Sequence, residues 1–530
     1  MGRKWTLWPF LLAFVFLISA TLRPSPVKAS NEAEIEALKA QVKMLLKRIE
    51  ELEKNQQQTM KAVEQKAPVN WKAYWKNGFR IDYKNPKNNN EYRFRFRTGI
   101  QLRYTYLDRD TDIDGSEENY SSFTMRRLRF FVDGTAPNRD WKYFVHVQLE
   151  PKSKVNVHDA FIIWQKYKEF KVQFGRMKIP GLGIEYWQSG FKQNGTDRTI
   201  FTDDSEGIWP GSMIKTGRRS GKTYTGELRV GGHLLDNGFP IGGMLNYRSQ
   251  GVNVNGFLDL MNKKQFLCYW LGVYNGRDTQ GNRNTNSDDM LYSFRVGINW
   301  LPGSDPRGPM GPKTFNNYFM QGDYGYNTVP ALATIFSGFW TKDRPKEYYT
   351  VSGGNVTPVS KRHDIENYGF DVAVLYRYKG FSADLEWAWE EFIQDPDGSL
   401  NIQETWDRWA FRANLGYYIV PRKWEVVAKY AYFERLDDNN PYNSMASGLG
   451  LVDLANGKYG VEDYLQQFVL GVNHYFHGFN QYITFDISLL QRKVKSASAA
   501  EAAEVGLTAS DFDSETQNDL RFRVMYQHFF

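Results

Sequence analysis

From residue 91 onward, apolar and polar side chains alternate along the chain in short segments. The first segment, residues 91–107, reads EYRFRFRTGIQLRYTYL, with rings and aliphatic chains mostly at even positions and arginines at odd ones. A period of two predicts β-strands whose two faces meet different surroundings. Short turns such as 378–380 alternate with long connections such as 437–462, and this rhythm predicts about 16 antiparallel strands. Similar alternating segments are Tyr292–Trp300, Trp409–Tyr417, Trp424–Tyr432 and Ile483–Leu489.

The apolar face of these strands is rich in aromatic residues, which favours a membrane barrel over a soluble β-sandwich. The chain has 16 Trp, 32 Tyr and 36 Phe, yet its mean hydropathy is −0.58. Strands that face lipid on one side and water on the other produce this combination, whereas a sandwich would bury a more aliphatic face. Phe530 ends an alternating segment, as in bacterial outer-membrane barrels, although His528 departs from that pattern. We therefore predict an all-β fold, a transmembrane antiparallel β-barrel over residues 91–530.

The first 29 residues read as a secretory signal peptide. Arg3 and Lys4 precede an apolar run from Leu7 to Ala20, and Val27-Lys28-Ala29 forms a small-x-small cleavage site. An uncleaved anchor helix is the alternative, although the run is short for a membrane span. The mature protein is therefore expected to begin near residue 30.

Residues 30–58 change to a helical pattern that predicts a periplasmic coiled coil. Glycine and proline are absent from 31–58, and apolar residues recur three and four positions apart, as in the a and d seam of a coiled coil. A single amphipathic helix packed on the barrel is the alternative. Ile and Val at a with Leu at d favour two strands, so a dimeric and a trimeric coil both stay open. Residues 59–90 then form a linker and lead-in. The seam consists of Ile35, Leu38, Val42, Leu45, Ile49 and Leu52.

Strand parity places the arginines of three strands inside the barrel. An arginine that faces lipid at the bilayer midplane costs roughly 2–4 kcal/mol, so several on one strand require an aqueous lumen. The last strand of a closed barrel pairs with the first, and the three strands are therefore neighbours. Alternatively, these charges are solvated and paired with acids. The predicted basic wall consists of Arg93, Arg95, Arg97, Arg103, Arg127, Arg129, Arg521 and Arg523.

Two further charged sets complete the predicted pore. Asp384, Glu386 and Glu390 have inward parity on a later strand, and a basic wall facing an acidic one would filter ions by sign. The connection 180–212 follows the fifth strand and is long enough to suggest a function. We expect it to fold inward as a constriction loop, with an ordinary outer loop as the alternative. Among the residues that it contains, we select the charged Lys192, Arg198, Asp203, Asp204 and Glu206.

The sequence offers little for catalysis, cofactors or nucleic acid. Cys268 is the only cysteine, and the seven histidines show neither metal-ligand spacing nor a nucleophile motif. The formal net charge is +7, but the signal peptide holds four cations and no acid, so the mature chain is close to balance. We expect no enzyme activity, no cofactor, no metal and no nucleic-acid partner.

Several motifs resemble the phosphate-selective porin O and P family. They are Arg126-Arg127-Leu128-Arg129 through Gly134, Asp159-Ala160-Phe161, Gly175-Arg176-Met177-Lys178-Ile179-Pro180 followed by Glu185, and Gly272-Val273-Tyr274-Asn275-Gly276. The chain departs from the family at Pro180-Gly181-Leu182-Gly183, where Pro-Phe-Gly is usual. The resemblance implies a 16-stranded outer-membrane channel, usually trimeric and in some members anion-selective.

These observations lead to one favoured function and two alternatives. We expect a porin in the outer membrane of a Gram-negative bacterium that passes small polar solutes passively, with a bias toward anions such as phosphate. Its partners would be outer-membrane lipid, small anions and two further copies in a homotrimer. The alternatives are a non-selective or cation-tolerant porin, and a structural barrel that anchors or sheaths a periplasmic partner through residues 31–58.

Overall fold

The computed structural model describes the barrel strands and part of the N-terminal segment. It divides the chain into two units, Met1–Asn70 and Trp71–Phe530. The predicted signal peptide lies outside the described residues. These are 39, 43–52, 54–55, 70–85, 90–110, 119–150, 155–181, 183–201, 218–219, 222–223, 248–275, 290–304, 320–343, 348–352, 355–359, 365–394, 404–435, 451–453, 457–499, 502 and 508–530.

In the first unit, the described residues 39, 43–52, 54 and 55 are helical. Three residues of the predicted heptad seam, Leu45, Ile49 and Leu52, are 60%, 50% and 61% exposed. A single chain therefore leaves this seam in contact with water, and the coiled coil stays a prediction.

The second unit is built of β-strands. Within the described residues there are 23 strands in chain order: β1 Trp71–Trp75, β2 Phe79–Lys84, β3 Glu91–Asp108, β4 Tyr120–Thr135, β5 Trp141–Glu150, β6 Asn156–Trp164, β7 Lys171–Lys178, β8 Arg218–Arg219, β9 Lys222–Thr223, β10 Arg248–Leu260, β11 Lys263–Tyr274, β12 Leu291–Pro302, β13 Ala331–Asp343, β14 Tyr348–Ser352, β15 Asn355–Val359, β16 Ile365–Tyr378, β17 Phe381–Gln394, β18 Glu404–Val420, β19 Trp424–Arg435, β20 Leu451–Asp453, β21 Tyr459–Tyr475, β22 Gln481–Lys495 and β23 Glu515–Phe529. Two short helical turns, Ile184–Trp187 and Ala509–Asp511, complete the elements.

Sixteen of these strands close into one antiparallel barrel. In ring order they are β3–β7, β10–β13, β16–β19 and β21–β23, each paired with the next. β23 then pairs with β3, from Leu520 opposite Asp108 to Phe529 opposite Gly99. Closure satisfies the backbone hydrogen bonds that an open sheet edge would leave unpaired in lipid. The predicted fold and strand number are confirmed.

The alternation of the sequence becomes an alternation between the interior and the outer surface. On β12, Ser293, Arg295 and Asn299 are buried in the interior, while Tyr292 and Trp300 are exposed on the outside. The outer surface is thus apolar and aromatic, and the interior is polar. Among the described helices, none is long and apolar enough to cross a membrane.

The two ends of the barrel differ in the length of their connections. At one end β16 and β17 are joined by Lys379 and Gly380, both with positive φ (47° and 84°), as in a tight two-residue hairpin. Residues 421–423 and 476–480 join the next hairpins at the same end. We call this the short-turn end. The connection 303–330 between β12 and β13 also lies there and is much longer.

Within the predicted linker and lead-in of 59–90, residues 71–84 form a hairpin of β1 and β2. Its turn is Asn77-Gly78, with φ of 51° and 109°, and Asn-Gly is a strong hairpin signal. β2 pairs with β3 from Phe79 opposite Phe96 to Lys84 opposite Glu91, beyond the point where β23 ends. The hairpin therefore extends the barrel wall at the short-turn end.

Candidate functional site

The structure brings the three arginine-bearing strands together, since β23 pairs with β3 and β3 with β4. In this register Arg523 lies opposite Thr105, and Arg127 opposite Gln101. All eight residues of the predicted basic wall thus lie on the interior face of neighbouring strands. That they line the solute path stays a prediction. Whether each arginine is paired with a carboxylate decides how much charge it presents to a solute.

Near the short-turn end, two guanidinium groups share one carboxylate. The Nη2 atoms of Arg95 and Arg97 lie 2.6 and 2.8 Å from the carboxylate of Asp133 on β4. The side chains of Arg95 and Arg97 remain 25% and 20% exposed, and that of Arg93, which pairs with Glu91, is 40% exposed. This part of the predicted wall is in contact with water.

Deeper in the barrel, three guanidinium groups converge on Asp197, which was not predicted from the sequence. Arg103, Arg126 and Arg127 approach its carboxylate at 2.9, 2.5 and 2.8 Å, and all four side chains are buried. A β-bulge between Gln101 and the next residue brings Arg126 into the interior beside Arg127. Burial alone would raise the pKa of Asp197, but the charges of Arg126, Arg127 and Arg103 hold it well below its usual range.

The arginines of the last strand are also buried. Arg523 donates to both carboxylate oxygens of Asp486 on β22 at 2.9 and 3.1 Å. The same carboxylate accepts hydrogen bonds from the backbone N–H of Thr196 at 3.1 Å and from its hydroxyl. Arg521 is 1% exposed. This pair therefore anchors the segment that contains Thr196.

That segment, residues 179–201, crosses the barrel interior, and we call it the inward loop. Its described residues are nearly all buried, and they bond to strands on opposite sides of the ring. As far as residue 201 the connection 180–212 thus lies inside the barrel, and its role as a constriction stays a prediction. Asp203, Asp204 and Glu206 lie outside the described residues. The bonds that span the barrel join Gly190 to Gln101, Phe191 to Gln527, Ile200 to Gln467, Gln188 to Asp384 and Asn194 to Asn414.

Arg198 stabilises the inward loop by hydrogen bonds to its backbone. Its guanidinium donates to the backbone carbonyls of Glu185, Tyr186 and Gln188 at 3.2, 3.3 and 3.1 Å. Lys178 at the end of β7 donates to the carbonyls of Tyr186 and Gln188 from the other side, at 2.8 and 3.4 Å. Two cations thus satisfy carbonyl oxygens at the end of the short helical turn 184–187.

The predicted acidic residues face the interior and are buried. Asp384, Glu386 and Glu390 are 1%, 1% and 0% exposed. Arg377 lies 2.5 Å from Asp384, and Arg412 lies 2.6 Å from Glu386. Glu386 also accepts hydrogen bonds from the backbone N–H groups of residues 184 and 185. Asp384, which accepts from Gln188 at 3.0 Å, and Glu386 thus hold the loop in place.

Several interior cations make no ion pair with any residue that the structure describes. Lys178 and Lys429 donate instead to carbonyl and amide oxygens, whereas the others lie on or beside β3–β7: Arg129, Lys142, Lys171 and Lys192. Arg129 donates to Gln148 at 2.7 Å, and its guanidinium lies 5.8 Å from the ring of Phe191. Burial and the nearby charge of Arg97 lower the pKa of Lys192 to about 8. We call the interior face of β3–β7, together with Lys192, the cationic sector.

Lys142 and Lys171 were not selected from the sequence, although strand parity marks them. Lys142 stands between Trp141 and Tyr143 on β5, opposite Thr135. Lys171 lies opposite the buried Asn255, and its ammonium group is 4.9 Å from the ring of Phe257. Both positions carry a polar residue between outward apolar neighbours, which is the signal that identified the arginines.

On the other side of the barrel, β16–β19 carry carboxylates that form no ion pair within the described part of the chain. Asp371 and Glu425 are both 0% exposed. Glu425 accepts hydrogen bonds from Asn473 and from the hydroxyl of Tyr475 at 2.8 and 2.7 Å. We call the interior face of β16–β19 the carboxylate sector. Across the described residues, no group of His, Cys, Asp and Glu side chains is arranged to hold a metal ion.

Comparison with known families identifies one match. The model of the family named phosphate-selective porin O and P matches residues 94–208, from the first barrel strand into the inward loop and just beyond its described end. The match confirms the resemblance seen in the sequence. It also confirms the interpretation of the chain as a passive diffusion channel of the Gram-negative outer membrane. No curated protein matches the chain.

The barrel also resembles solved outer-membrane proteins at low identity. OmpT of Vibrio cholerae lacking loop L8 is 13% identical, with a TM-score of 0.44 over 83% of this chain and 99% of that one. An anion-selective porin from Comamonas acidovorans is 9% identical, with a TM-score of 0.46 over 83% and 100%. OprB from Pseudomonas putida is 11% identical, with a TM-score of 0.46 over 82% and 94%. Likeness at this level says nothing about the solute.

Proposed function

Since the chain is a porin-type channel of the outer membrane, we propose that it favours small anions, phosphate among them, and that they pass along the cationic sector. The observation that carries this proposal is that cations of this sector make no ion pair with any described residue: Arg129, Lys142, Lys171 and Lys192. The partly hydrated Arg95 and Arg97 lie at the short-turn end of the same sector.

The physical basis is the field of these charges in a narrow, low-dielectric passage. A cation paired with a carboxylate presents little net charge to a solute, whereas an unpaired one attracts anions and repels cations. Lysine ammonium groups and arginine forks both bind phosphate oxygens, with two-pronged geometry possible for arginine. Several weak sites in succession allow an anion to enter and also to leave, as conduction requires.

Competition between phosphate and chloride in a planar bilayer tests this proposal. Phosphate added to the purified protein in KCl should reduce the chloride current, because phosphate occupies the cationic sector. Replacing both sector lysines, Lys142→Met with Lys171→Met, should weaken that effect. The matched control is Lys166→Met, which removes an exposed lysine from the turn between β6 and β7. A channel without conductance, or a chloride current unaffected by phosphate, would contradict the proposal.

We infer in addition that the channel works as a homotrimer with its N-terminal helices in the periplasm. Two observations support this: the exposed Leu45, Ile49 and Leu52 of the heptad seam, and the matched family, whose members are usually trimeric. A short coil of this kind is weak, so contacts between barrels would set the number of copies. The mass of the protein in detergent, measured by light scattering, should correspond to three chains, and a monomer would contradict the inference.

A further inference from the structure

A second segment enters the barrel, from the end opposite to the long loops. It is the described part of the connection between β12 and β13, Met320–Pro330, and we call it the inward turn. Neighbouring hairpins at this end turn within a few residues, as at 379–380 and 421–423. Gln321 and Asp323 are 0% and 1% exposed. The inward turn is therefore packed inside the barrel and does not extend into solvent from its edge.

The inward turn meets the inward loop through one glutamine. The backbone N–H of Gln321 donates to the carbonyl of Lys192 at 2.9 Å. Its side-chain oxygen accepts from the N–H of Asn194 at 3.1 Å and from the ammonium of Lys429 on β19 at 3.3 Å. Gln321 therefore joins three parts of the interior at one point, and the loop rests on the turn.

The rest of the inward turn bonds to the base of the carboxylate sector. The carboxylate of Asp323 accepts from the N–H of Gly380 at 2.8 Å, within the hairpin of β16 and β17. Arg377 donates to the carbonyl of Met320 at 3.2 Å. The N–H of Lys379 donates to the carbonyl of Asn327 at 2.7 Å. The turn is thus tied to the strands that carry the sector's carboxylates.

Tyr324 of the inward turn packs against aromatic side chains of the barrel. Its ring lies 6.2, 5.5 and 5.6 Å from those of Tyr418, Tyr475 and Phe479. Gly322 has a φ of 76°, and a Cβ atom there would stand 2.7 Å from Oε1 of Glu425. The backbone of the turn therefore lies directly against this carboxylate, where only glycine fits.

We propose that the inward turn is a selectivity element: it closes the carboxylate sector at the short-turn end and so confines solutes to the cationic sector. The proposal rests on the proposed function for the sign of the selectivity. If the turn were absent, water would reach Glu425, which lies against Gly322 and makes no ion pair with described residues. Hydrated carboxylates in a lumen attract cations, so the turn would protect the anion bias of the channel.

Two variants test this role. The first joins β12 to β13 directly: Pro302 and Ala331 are register partners, so an Asn-Gly turn can replace residues 303–330. The second, Gln321→Ala with Tyr324→Ala, loosens the turn without shortening the chain. The matched control is Tyr167→Ala, an exposed tyrosine on another turn of the same end. Heat-dependent gel mobility reports which barrels are folded.

In a planar bilayer, opening the second sector should raise single-channel conductance by about twofold and lower the anion-to-cation permeability ratio. Adding Glu425→Gln to the first variant should restore part of the ratio, whereas Glu425→Gln alone should leave it unchanged. Equal conductance and ratio in the unmodified protein and in either folded variant would overturn the proposal. The zero-current potential of the unmodified protein tests the proposed function separately, because the inference depends on the difference between variant and unmodified channel.

Discussion

The two sides of the barrel interior use charge in different ways. Along β3–β7, cations such as Arg129 and Lys142 stand without an ion pair among the described residues, and Arg95 and Arg97 are in contact with water. Along β16–β19, the described carboxylates that face the interior are buried: Asp371, Asp384, Glu386, Glu390 and Glu425. The sign of the electrostatic potential in the lumen therefore depends on which charges stay hydrated and unpaired. The number of charged residues that face inward matters much less.

The comparison also separates two roles of arginine within the basic wall. Arg103 and Arg127 are buried against Asp197 of the inward loop, so they position the loop. Taking ions out of water is expensive unless they are paired and hydrogen-bonded, and the loop carboxylate provides that pairing. Under the proposed function, some interior arginines fix the inward loop and other cations remain for the solute.

The largest expected effect comes from breaking the Asp197 cluster. Asp197→Asn leaves Arg103, Arg126 and Arg127 without their shared carboxylate in a buried site, and breaking a buried pair of this kind costs about 3–5 kcal/mol. Urea unfolding followed by tryptophan fluorescence should show this loss of stability. The control is Asp259→Asn, which breaks an exposed pair with Lys168 and should cost about 0–1 kcal/mol. Equal effects of the two variants would refute the structural role of the cluster.

A smaller effect is expected from removing one unpaired cation. Lys142→Met should lower the anion-to-cation permeability ratio by about two- to fivefold, the range for a partly hydrated charge contributing roughly 0.5–1 kcal/mol. Stability should change little, because the described residues give Lys142 no ion partner to lose. Reversal potentials in a KCl gradient measure the ratio, and a ratio equal to that of the unmodified channel would remove Lys142 from the solute path.

The contribution of Lys192 should depend on pH. Its pKa of about 8 lies below that of free lysine, so the folded protein loses this proton between pH 7 and 9. Anion preference should fall over that range, and Lys192→Met should abolish this part of the pH dependence. Because the unfolded chain still holds the proton up to about pH 10.4, this group alone makes stability rise with pH between about 8 and 10.4. A pH dependence that persists in the variant would assign it to another group.

The smallest effect is expected in the carboxylate sector. Asp371→Asn removes a buried carboxylate that makes no ion pair with described residues, and its complete burial keeps solutes away from it. The permeability ratio should therefore equal that of the unmodified channel. The mirror variant Lys142→Met serves as the comparison, and a clear rise in anion preference after Asp371→Asn would show that both sectors carry solutes.

Local periodicity was enough to predict the barrel and the neighbourhood of the basic wall. Arg103, Arg127 and Arg523 could be brought to one face because parity is a property of each strand and closure pairs the last strand with the first. Asp133 shares the parity of Arg127 and Arg129, so its position on the interior face could also have been predicted from the sequence. The Asn77-Gly78 turn was a further readable signal.

The partners in the inward loop and the inward turn could not be predicted in the same way. Arg126 reaches Asp197 only because a bulge shifts the strand by one residue, and alternation does not report bulges. Asp197 and Gln321 lie in connections whose conformation depends on contacts with many strands. No period in the sequence encodes such contacts, although they decide which charges are covered.

The zero-current potential of the purified, unmodified protein across a bilayer with a KCl gradient tests the central claim most directly. If solutes pass along the cationic sector, the potential will have the sign of preferential chloride movement, and addition of phosphate will reduce the current. A potential of the opposite sign, which means preferential potassium movement, would contradict the account.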